Sequence, residues 1–101
     1  MDEHIILGRI LQRFIDEGYA QVEDYNRFGY IRHTSKQVYL TRETGEDTPV
    51  SFSKVLTAIK AYQKDIELYD SGPSALRNVG ITYVNSPIFA LLHLLNKEDF
   101  V

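Results

Sequence analysis

The chain has 101 residues, 11.7 kDa, no Cys and a formal charge of −3, with 44% apolar and 25% charged residues. That size allows one domain over 1–101, and that composition is globular, which excludes a disordered, collagenous or low-complexity chain. No apolar run approaches the ~20 residues of a membrane span, and Met1-Asp2-Glu3 does not open like a secretory or transit peptide. The expectation is a soluble, cytoplasmic protein without membrane contact. The absence of Cys removes disulfides, thiolate metal sites and Cys nucleophiles together.

Residues 3–17 form an amphipathic pattern. Leu7, Ile10, Leu11, Phe14 and Ile15 recur at helical spacing, and Gly18 supplies a stop. Asp16 and Glu17 oppose the dipole at that end, which predicts fraying or a pairing with Arg13. Residues 27–43 predict a β-hairpin, Phe28–His33 and Gln37–Glu43, with Thr34-Ser35-Lys36 as its turn. Strict alternation puts Ile31, Val38 and Leu40 on one face, and Phe28, Tyr30, Arg32, Tyr39 and Thr41 on the other. Glu43 to Pro49 is expected to be a polar loop.

Residues 53–69 carry a second helical stripe, Val55, Ile59, Tyr62, Ile66 and Tyr69, capped by Ser51 or Ser53. Asp70 to Pro73 breaks it. A short helix over 73–79 then stops at Gly80, and Ile81 to Val84 is extended. Ser86-Pro87 predicts the start of a helix over 87–95 that is apolar nearly all round. Residues 96–101 read as a short polar tail. The fold class is α+β: an N-terminal helix, a small antiparallel hairpin or sheet, and a three-helix C-terminal part. In that part 73–95 resembles a loose helix-turn-helix of winged-helix kind. Its would-be recognition helix begins Pro87-Ile88-Phe89, a poor surface for base edges.

The charges are unevenly spread. Between Tyr25 and Arg42 there is no Asp or Glu, while Arg27, Arg32, His33, Lys36 and Arg42 fall inside the interval. Interleaved with Tyr30 and Tyr39, these residues suit stacking on bases and contact with phosphates. The expected contact set is Arg27, Tyr30, Arg32, Lys36, Tyr39 and Arg42, with Lys60 at the edge. Lys54, Lys64 and Arg77 fit the solvated side of helices. The competing arrangement is a helix laid over the hairpin's aromatic face, which makes the tyrosines core residues.

Gly29-Tyr30-Ile31 followed by Val38-Tyr39-Leu40 looks superficially like the paired tyrosine motifs of GIY-YIG nucleases. However, Leu40-Thr41 stands where isoleucine and glycine are expected, and a long helix precedes the hairpin. The nuclease reading is therefore not adopted. His4, His33 and His93 lack metal-ligand spacing, no Gly-x-Ser-x-Gly elbow occurs, and no Gly-rich phosphate loop is present. No enzyme, metal or cofactor is expected. The function read from the sequence is a small non-enzymatic nucleic-acid-binding or accessory regulatory domain. The alternative is a protein-interaction or inhibitor protein that occludes a partner, or pairs with a second copy, through Phe89 and Leu92 of the last helix.

Overall fold

The computed structural model describes residues 1–43, 45 and 47–101. Helix α1 (Glu3–Glu17) starts where the Asp2 carboxylate accepts from the His4 amide, and stops at Gly18, whose φ of 82° closes the last turn. The cap hydrogen bond holds the Asp2 carboxyl below the usual carboxylate range. At the other end Asp16 accepts from Gln12 rather than pairing with Arg13.

A four-stranded antiparallel sheet follows in the order β1-β2-β3-β4, with β1 Tyr19–Ala20, β2 Phe28–His33, β3 Gln37–Thr41 and β4 Asp47–Ser51. Two of these strands were not expected. β1 has only two residues, too few to show a period. β4 replaces the C-terminal part of the expected polar loop and continues directly into α2. Pro49 is accommodated because β4 is an edge strand, where a missing backbone donor is tolerated. Thr44 and Glu46 of the expected loop lie outside the described residues.

The hairpin itself forms, but its faces are not those of strict alternation. Tyr30 is paired with Leu40, and the next pair is Arg32 with Tyr39. Ile31 is the extra residue of a β-bulge. Before the bulge, Phe28 and Tyr30 share the inner face with Leu40, and Phe28 is buried beside Val38, Leu40 and Val50. After it, Arg32 joins Tyr39 on the outer face. Phe28 and Tyr30 thus move to the face opposite the one predicted, and Ile31 lies at the bulge, partly exposed.

Helix α2 (Phe52–Lys64) is capped by the Ser51 hydroxyl, which accepts from the Lys54 amide. It ends five residues earlier than its stripe predicted, because Asp65 turns extended and its carboxylate caps a 3-10 segment, Ile66–Asp70. Pro73–Val79 is also 3-10 and ends at Gly80 with φ 91°. The Ile81–Val84 link is not a strand: Ile81 and Val84 are buried, while Tyr83 between them is 86% exposed. Helix α3 (Asn85–Leu92) opens one residue before Ser86 and without a side-chain cap; the Asn85 amide instead donates to the Pro73 carbonyl. Because its first element is 3-10, the 73–95 stretch is not a helix-turn-helix of two α-helices.

One face of the sheet is covered. Ile6, Ile10 and Phe14 of α1, Val55, Ala58 and Ile59 of α2, and Ile88, Leu91 and Leu92 of α3 join the inner-face strand residues in a single core. The expected polar tail is a further 3-10 segment, Lys97–Phe100, closed by a reciprocal Asn96–Asp99 cap. It drives Phe100 into an aromatic cluster with Tyr62 and Tyr69. His93 sits between the rings of Tyr69 and Phe89, with Nδ1 and Nε2 each 2.8 Å from a backbone carbonyl, those of Phe89 and Tyr69. No helix among the described residues is long and apolar enough to cross a membrane.

Candidate functional site

The outer face of the sheet faces solvent, and its side chains are set by the register. One row runs Tyr19, Gly29, Thr41, Asp47 across the four strands; the next holds Arg32, Tyr39 and Pro49. Two arginines lie over two tyrosines on this surface. The Arg32 guanidinium is 3.8 Å from the Tyr39 ring centroid, and the Arg27 guanidinium is 4.5 Å from that of Tyr19. Each cation sits within cation–π distance of its ring, and neither is in an ion pair with an acid among the described residues. The Tyr39 hydroxyl is further fixed by the Gln37 amide, which donates to it.

Beside Arg27 the face is recessed. Gln21, Arg27, Gly29, Thr41, Arg42 and Glu43 line an open depression of about 340 Å³. Its floor exists because Gly29 has no side chain: a Cβ there would meet the Thr41 Oγ1 at 2.7 Å, and that hydroxyl instead accepts the Gly29 amide at 3.2 Å. The rim is ordered by polar contacts, with Glu43 accepting the Arg27 amide and the Gln21 carbonyl oxygen accepting from Arg27 Nε.

The expected contact residues divide. Arg27, Arg32 and Tyr39 meet on the outer face, and Lys36 is exposed at the hairpin tip. Tyr30 is on the inner side, edge-on to Phe14 at 5.4 Å, with its hydroxyl bonded to His33 Nδ1 at 2.8 Å. Arg42 lines the end of the depression, but its guanidinium donates to the Thr48 hydroxyl and the Tyr83 carbonyl, bracing the sheet against the 81–84 link. Lys60 is on α2, in the helical layer, 3.5 Å from the Glu3 carboxylate, and is not brought to the hairpin. Among the described residues none of Arg27, Arg32, Lys36 and Arg42 is in an ion pair.

Phe89 and Leu92, expected at a partner interface, are 4% and 0% exposed and form part of this chain's own core. A helix apolar all round is enclosed all round. Tyr19, Gln21, Gly29 and Thr41 were missed as site residues. The Arg27–Tyr19 pair spans a link that only the short β1 brings back to the sheet, and Thr41 became significant only once it was placed opposite a glycine. Asp2, Glu3 and His4 gather their ligand atoms within 4.8 Å at the start of α1. Each is accounted for by helix capping or by Lys60.

No protein-family model, no curated protein and no solved structure matches the chain.

Proposed function

We propose that this chain is a small nucleic-acid-binding accessory domain, without catalysis of its own, whose binding surface is the outer face of the sheet. The observation that carries this reading is the pair of arginines laid on tyrosines, Arg27 on Tyr19 and Arg32 on Tyr39. Cations without acidic partners attract phosphates, and aromatic rings beside them accept bases. The net charge of −3 does not oppose this, because β2 and β3 themselves carry no acid; the acids that border the face are Asp47 on β4 and Glu43 at the depression. The competing protein-occlusion reading does not have Phe89 and Leu92 to work with, since both are enclosed.

The test is fluorescence anisotropy with labelled single-stranded DNA, duplex DNA and RNA at ~50 and ~200 mM salt. The expected result is affinity that falls steeply with salt, about 0.7–0.9 in log-log slope for each phosphate contacted. The double variant Arg27→Glu/Arg32→Glu should abolish binding while retaining the native circular dichroism spectrum, because both side chains are exposed. Lys60→Glu should leave affinity unchanged. Failure to bind any of the three probes at the lower salt overturns the reading, as does unchanged affinity in the double arginine variant.

A further inference from the structure

We infer that the recess beside Arg27 takes one unstacked nucleobase, so that the domain selects single strands over duplexes; this deepens the nucleic-acid reading above and rests on it. Three features converge. The recess has a size at the low end of the ~300–1,000 Å³ range of small-ligand sites. Its floor is the Gly29 backbone with the Thr41 hydroxyl packed against it where a Cβ would otherwise stand, so no β2 side chain rises into the recess there. Its walls offer hydrogen-bonding groups of both kinds, the Thr41 hydroxyl beside the Glu43 carboxylate, while the Gln21 amide is held by Tyr25 and Arg27. A base entering it lies next to Arg27, and the Tyr39–Arg32 stack is one row further along the sheet.

The spacing suits a strand. Tyr19 and Tyr39 are two strands and about two residues apart on one face, roughly 12 Å from the strand and rise spacings of a sheet. Two Arg–Tyr stacks at that separation, with the recess beside one of them, can therefore engage nucleotides about two apart along an extended chain. A duplex cannot use this surface in the same way, because its bases are stacked and their faces are hidden. The outer face is broad and recessed, unlike the helix or narrow two-stranded ribbon that fits a ~12 Å major groove. Phosphates then fall beside Arg27 and Arg32, whose outward sides are unengaged by acids among the described residues.

The deciding experiment compares a 12-nucleotide single strand, its duplex and a nucleoside monophosphate, by anisotropy or calorimetry at one salt concentration. It uses the wild type, Thr41→Leu, which fills the recess and removes its hydroxyl, and Tyr19→Leu, which removes the ring under Arg27 at a solvent-exposed position. The single strand should bind at least about tenfold more tightly than the duplex, the margin expected from stacking of one or more bases. Both variants should erase that margin, lowering single-strand affinity more than duplex affinity. Should Thr41→Leu fail to fold by circular dichroism, Tyr19→Leu alone decides. Equal affinity for strand and duplex, insensitive to both variants but lost in Arg27→Glu/Arg32→Glu, overturns the base recess and leaves the nucleic-acid reading standing. Absence of binding to every probe overturns both. A nucleoside monophosphate binding as tightly as the 12-mer supports the recess and overturns the polymeric ligand.

Discussion

Tyr62 is fully enclosed, and its hydroxyl has no hydrogen-bond partner among the described residues. Burial, reinforced by the neighbouring Tyr69 and by Asp70, pushes its pKa well above the ordinary tyrosine value of 10.0. The folded state therefore keeps a proton that the unfolded chain releases in alkali. That contribution to stability is complete below pH 10.0 and is lost progressively as the pH rises beyond it. Tyr62→Phe removes an unpaired buried donor and should raise stability at neutral pH by about 1 kcal/mol. It should also flatten the decline above pH 10.0, as read by urea unfolding at neutral and alkaline pH. His93 presents the opposite situation, a polar ring with both nitrogens against carbonyls and aromatic rings on both sides. His93→Ala should cost about 2–3 kcal/mol in the same measurement, through a lost hydrogen bond to a backbone carbonyl and an opened aromatic cluster.

At the scale of elements, the local signals in the chain were sufficient wherever one element decides its own ends. Gly18 and Gly80 stop their segments with positive φ, and Ser51 caps α2, so Ser51→Ala should lower stability by about 1 kcal/mol. The hairpin was legible from its aromatic and β-branched run and its Thr34-Ser35-Lys36 turn. Its faces were not, because alternation carries no mark of a bulge; the parity change at Ile31 is imposed by pairing with β3. The site was legible only in part for the same reason. Arg27, Arg32 and Tyr39 stand out as basic and aromatic residues in an acid-free interval. Gly29 and Thr41 become a recess only when the strands are in register. The end of α2 illustrates the reverse limit: Ile66 and Tyr69 continue the apolar period, yet the Asp65 cap prevails over it.

For the whole molecule, the division of labour is between a sheet face committed to the helices and a face left to solvent. The α+β outline follows from chain order, whereas the closing contacts come from residues that are distant in sequence. Phe100, read as part of a polar tail, is 1% exposed and completes the cluster with Tyr62 and Tyr69. Phe100→Ala should destabilise the domain by about 3–5 kcal/mol. For a domain of this size each kcal/mol lowers Tm by about 4–8 °C, so calorimetry should show a drop well outside error. The surface at the opposite side of the sheet should be unaffected in kind. At temperatures where this variant remains folded, its affinity for a single strand should equal that of the wild type.

The extra residue at Ile31 has a bearing on how this protein can change over generations. Phe28 and Tyr30 answer to the interior, whereas Arg32, one residue past the bulge, answers to whatever meets the outer surface. A strand in uniform phase would tie those two demands together, since any slip that re-aimed one would re-aim the other. Here the offset leaves Arg32 and Tyr39 free to change on the outer face while the hydrophobic positions before it stay fixed. Innovation at the surface is thereby uncoupled from the integrity of the interior.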